Sequence, residues 1–93
     1  MDINISEIQI VPIKPASGLV GFASFVLNGY LYLGSIGIYT RPHGGYRLTY
    51  PMKNNLNIFY PISKDFAEIV EGAVVKEFEK VTKKYVGHNS FNT

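Results

Sequence analysis

Cysteine is absent from these 93 residues, and so is tryptophan. Without cysteine there is no disulfide, no thiolate metal site and no cysteine nucleophile, so packing alone must hold the core. Histidine occurs only as His43 and His88, and five of the seven acids fall in the last third of the chain. No uncharged run approaches the roughly 18 residues that a membrane span needs, and no basic-then-apolar pattern opens the sequence. A cytoplasmic protein with no membrane partner is the expectation. The histidines lie in loop-like and tail-like stretches and no metal-ligand spacing occurs, so no enzyme, cofactor or metal is expected.

What is present describes a globular domain. The chain is 46% hydrophobic and 17% charged, which argues against disorder, and its length fits one domain over residues 1–93. The net charge is +2. Residues 1–63 carry Lys14, Arg41, Arg47 and Lys53 against Asp2 and Glu7, whereas residues 64–85 balance lysines against acids. A dedicated nucleic-acid domain usually has a stronger basic stripe.

The stretch 63–85 has the one sustained helical period. Phe66, Ile69, Val70, Ala73, Val74, Phe78, Val81 and Tyr85 recur at three- and four-residue spacing and form an apolar stripe. Ser63 stands at the N-cap position, and Gly87 is the expected stop, leaving 86–93 as a tail. Acids come early (Asp65, Glu68, Glu71) and lysines late (Lys76, Lys80, Lys83, Lys84), in line with the helix dipole.

Ahead of it the chain reads as strands. Ile3 and Ile5 keep one alternation phase and Ile8 and Ile10 the other, so Ser6-Glu7 marks either a bulge or a strand start. A first strand over Ser6–Ile13 is expected at an edge, because Pro12 cannot donate to a ladder. Asn28-Gly29 between Leu19–Leu27 and Tyr30–Tyr39 predicts a type I′ hairpin with Leu27 opposite Tyr30. That register puts Phe25, Leu27, Tyr30, Tyr32, Ile36 and Ile38 on one face and Phe22, Val26, Leu31, Leu33 and Tyr39 on the other. Tyr46, Leu48, Tyr50 and Met52 alternate as a further strand, residues 53–57 read as a loop, and Ile58-Phe59-Tyr60 as a short extended segment. The fold class is therefore α+β: an antiparallel sheet of four to five strands with one C-terminal helix packed on it. One helix covers one face, so a homodimer is expected through Phe22, Val26, Leu31 and Leu33.

Candidate sites each have a plainer reading. Arg41, His43 and Arg47 could hold a phosphate, yet Arg-Pro-His-Gly-Gly is ordinary loop composition. The lysines of the helix could track a nucleic-acid backbone, or form a solvated face with Glu79 and Lys83 as an i, i+4 pair. The seven tyrosines could stack bases, but tyrosine also favours strands. Gly34-Ser35-Ile36-Gly37 matches a phosphate-clamping loop only superficially, since it lies inside a strand, where glycine marks a bulge or a close approach.

In order and spacing, several short motifs resemble the stage V sporulation protein G family, also called septation protein SpoVG. They are Ile5-x-x-Ile8-x-Ile10, Ala23-Ser24-x-x-Leu27, Pro51-x-Lys53, Pro61-Ile62 and Ala73-Val74-Val75-x-Glu77-Phe78, spread over about Ile5 to Val81. The resemblance implies a bacterial regulator of septation, cell division and sporulation that binds DNA or RNA as a homodimer and catalyses nothing. It places nucleic-acid specificity in the first helical turns, here Lys64 to Ile69. The chain departs from the family pattern at Gln9, Val11, Pro12, Gly37 and Ala67, where basic residues are usual. The nucleic-acid contacts then expected are Lys53, Lys64, Arg41 and Arg47, as phosphate-positioning cations. The alternative is a diverged protein-interaction module that kept the fold and lost nucleic-acid binding.

Overall fold

Bulges decide which residues of this sheet reach the core. The computed structural model describes residues 2–91, with side chains through residue 83. Strands β1 (Ile5–Ala16), β2 (Leu19–Leu27), β3 (Leu31–Thr40) and β4 (Tyr46–Thr49) form an antiparallel meander in that spatial order. In β1 the pairing slips between Ser6 and Gln9, and Glu7 takes a positive φ of 49°. The irregularity at Ser6-Glu7 is thus a bulge, and it lets Ile5, Ile8 and Ile10 all pack against one core. Pro12 lies in β1 at the sheet edge, as its missing N–H requires.

The central hairpin corrects the expected register. Asn28 and Gly29 have φ of 53° and 71°, and Tyr30 N donates to Leu27 O at 3.0 Å, closing the turn. The type I′ turn is therefore present. Leu27, however, pairs with Leu31, and Tyr30 stands outside the ladder at 94% exposure. The hydrophobic pattern explains the shift. With this register Leu31 and Leu33 lie opposite Leu27 and Phe25, and a second slip at Ser35 (φ 60°) brings Ile36 and Ile38 to the same face. The glycine-serine pair in this strand belongs to a bulge.

The strand expected through Met52 ends at Thr49, and Met52 joins the expected loop 53–57 in a small separate hairpin, β5 (Met52–Lys53) with β6 (Leu56–Asn57). Its two-residue turn, Asn54-Asn55, has φ of 52° and 65°, a conformation asparagine tolerates better than most residues.

Helix α1 (Lys64–Phe91) begins where Ser63 Oγ accepts from Phe66 N at 3.1 Å. It continues past Gly87, because an interior glycine costs about 1 kcal/mol without ending a helix. The expected tail 86–93 is thus helical as far as Phe91. Lys84 and Tyr85 lie outside the described side chains, and residues 92–93 outside the described residues. Val70, Val74 and Phe78, at four-residue spacing, are buried against Ala23, Phe25, Ile36 and Ile38. Tyr46 meets the Phe78 ring edge-on at 5.0 Å between centroids. Gly21 makes room for this contact, since a Cβ there would stand 3.3 Å from the Phe78 ring and 3.1 Å from Val11 O.

Candidate nucleic-acid interface

The four expected phosphate contacts do not form one patch. Arg41 follows β3 and turns toward the helix. Its Nη2 donates to Glu71 Oε1 at 2.8 Å and its Nε donates to Tyr46 O at 2.9 Å. The loop closes on itself through Arg41 N to Gly45 O and Gly44 N to Arg41 O, leaving His43 exposed. Arg41 is thus a brace between loop and helix.

Arg47 points the other way. Its neighbours Tyr46 and Leu48 pack on the core, and strand alternation sends Arg47 to the opposite face. There its guanidinium lies 4.7 Å from the centroid of Tyr39, its cross-strand partner. Lys53 is exposed at the end of β5, opposite Leu56, and Lys64 is exposed at the first helical position. Lys76, Lys80 and Lys83 are exposed on the helix. Among the described residues the one ion pair is Arg41–Glu71, so Glu79 and Lys83 are not paired.

The expected dimer set is divided as well. Phe22 and Val26 lie on the open face of the sheet, with Tyr32 opposite Val26. Leu31 and Leu33 lie on the helix side, where they line a cavity of about 150 Å³ with Phe25, Tyr60, Phe66 and Val70. The slip at the turn separates the two pairs, so these four side chains do not share a surface.

On the open face Phe22 is 40% and Tyr32 67% exposed. Both tyrosines of β3 there lie over glycines. A Cβ on Gly34 would come 3.0 Å from the Tyr32 ring, and one on Gly37 would come 3.2 Å from the Tyr39 ring. The expected register put Tyr32 on the face that carries Phe25, Ile36 and Ile38. The signal that locates it outside is the change of phase between Leu31/Leu33 and Ile36/Ile38, the same kind of change seen at Ser6-Glu7.

Another apolar surface surrounds the small hairpin and the segment before the helix. Met52, Leu56, Ile58, Tyr60 and Ile62 are all more than half exposed, Ile62 at 92%. Tyr50 is different. Burial, with a smaller contribution from the Glu71 carboxylate, pushes its hydroxyl up to about 12. Among the described residues no three histidine or carboxylate side chains come together to hold a metal ion. Among the described residues no helix is long and apolar enough to cross a membrane.

No protein-family model matches the chain, and no curated protein matches it.

Proposed function

We propose that this chain is a SpoVG-like regulatory protein that binds DNA or RNA as a homodimer and carries out no catalysis. The observation that carries the reading is the segregation of charge. The strands β1–β4 contain one carboxylate, Glu7, whereas five of the seven acids lie on the helix. The sheet and its connections therefore present Lys14, Arg47 and Lys53 with little competing negative charge, and cations of this kind supply most phosphate affinity. Lys64 adds a charge at the helix start, while Arg41 is largely spent on Glu71.

The packing of several motif residues is a second support for the reading. Ile5, Ile8 and Ile10 line the core, and Val74 and Phe78 lie on the buried helix stripe. For the dimer, the supporting surface is the exposed run from Met52 to Ile62 and not the set containing Phe22 and Leu33. A second copy would remove those side chains from water about a two-fold axis.

Electrophoretic titration against DNA and RNA pools at two salt concentrations tests the binding. Retardation that weakens with salt, and weakens further in Lys53→Ala and Lys64→Ala, is expected. Light scattering tests the dimer, with Ile62→Lys expected to give monomer. The second reading, an interaction module without nucleic-acid affinity, is favoured by the opposed directions of Arg41 and Arg47. It predicts a dimer and no retardation at either salt concentration.

A further inference from the structure

The helix covers one face of the sheet; on the other, Phe22 and Tyr32 are 40% and 67% exposed and Tyr39 lies beneath the Arg47 guanidinium. Three of those side chains, on β2 and β3, follow one another along this open face. Tyr32 pairs across to Val26, and Phe22 stands four residues further along β2, on the order of 13 Å of strand. Phe22 pairs with Gly37, and Tyr39 lies two residues beyond that glycine. Between Tyr32 and Phe22 is a depression of about 400 Å³ whose walls also include Gln9, Val11, Ser24 and Ser35. None of these groups is ionised. An amide and two hydroxyls offer both donors and acceptors, and two aromatic rings offer flat apolar surface.

We propose that this face is a platform for single-stranded nucleic acid, with bases stacked on Tyr32 and Phe22 and the backbone drawn toward Arg47 beside Tyr39. The inference rests on the reading of the chain as a nucleic-acid binder and adds which form of nucleic acid it takes and where. The chemistry of the depression fits a base and not a phosphate, because it combines stacking surface with uncharged hydrogen-bonding groups. Only an unpaired strand can offer its base faces; a duplex keeps them stacked inside. Gly34 holds the Tyr32 ring against the strand, so one side of the ring is supported and the other is free. Arg47 supplies the charge, and the single carboxylate in the four strands, Glu7, sits at a bulge in the edge strand. This charge balance favours a polyanion over an acidic protein surface.

The test uses the full chain and fluorescence anisotropy of a labelled mixed-sequence single strand, as DNA and as RNA, beside the duplex of the same sequence. The single strand is expected to bind more tightly than the duplex. Tyrosine emission, free of tryptophan background, is expected to be quenched on binding. Tyr32→Ala is expected to weaken single-strand binding roughly 5- to 150-fold, the range for one lost stacked base, with the salt dependence unchanged. Tyr32→Phe retains the ring and is expected to retain the affinity. Tyr32 is exposed, so circular dichroism is expected to show both variants folded. If Lys53→Ala and Lys64→Ala weaken binding while Tyr32→Ala and Phe22→Ala do not, the platform is overturned and nucleic-acid binding stands. If the unmutated protein binds neither strand nor duplex, both fail together. If Tyr32→Ala instead dissociates a dimer in light scattering, the face is an interface between two copies and the platform is overturned.

Discussion

Arg41 Nη2 stands 2.8 Å from Glu71 Oε1 and so ties the β3–β4 loop to the helix across thirty residues of chain. Both side chains keep contact with water, at 49% and 33% exposure. Such pairs typically contribute about 0.2–1 kcal/mol and weaken with salt. A double-mutant cycle with Arg41→Ala and Glu71→Ala is expected to give a coupling in that range. The cycle isolates the pair, because the bond from Arg41 to Tyr46 O is lost with or without Glu71. A coupling of several kcal/mol that ignores salt would contradict the exposure of the pair.

Phe78 is 4% exposed, packs on Tyr46 and fills the space above Gly21. Phe78→Ala is expected to cost about 3–5 kcal/mol, the usual loss for a buried aromatic. Urea denaturation measures it, and a loss below about 1 kcal/mol would break the account of how the helix is anchored.

Gly29 has a φ of 71° at the second position of the hairpin turn, with open space where a Cβ would go. The strain in Gly29→Val is therefore backbone strain alone. It is expected to lower stability by about 1–3 kcal/mol, read as a drop in the thermal midpoint. An unchanged midpoint would show that the turn is not held in the left-handed region.

Tyr50 provides a prediction in alkali. Its hydroxyl ionises near 10 in an unfolded chain and at about 12 in the fold. The neutral form is thus the one the fold prefers. Its stabilising contribution is complete below pH 10 and is lost as pH rises through 12. Tyr50→Phe is expected to leave stability near neutral pH almost unaltered and to make the decline above pH 10 shallower than in the unmutated protein. Denaturation midpoints across that range decide it; identical declines in both proteins would exclude Tyr50 as a contributor.

Much of the fold was legible because single residues announce it. Ser63 caps the helix, the three- and four-residue spacing from Phe66 to Phe78 gives its buried side, and Asn28-Gly29 gives the turn. The register was not legible from the turn alone. Tyr30 could close the turn and still leave the ladder, and only the apolar pairs Leu31/Leu33 and Ile36/Ile38, seen together, require the bulge at Ser35. The hairpin at Asn54-Asn55 escaped because two-residue strands are too short to show a period. The candidate site suffered most. Arg41 and Glu71 are joined by no spacing rule, and the exposure of Tyr32 follows from a register that one misplaced residue inverts.

Among the described residues, the helix that covers the sheet is also the last element in chain order. During synthesis the four strands can pair with sequence neighbours, but Phe25, Ile36 and Ile38 lack the helical half of their core until Val70, Val74 and Phe78 emerge. At about 5–20 residues per second, the interval between completing β4 and adding Phe78 is on the order of seconds. Throughout it the ribosome carries a sheet with an uncovered greasy side, and any factor that shields nascent chains has that interval in which to act.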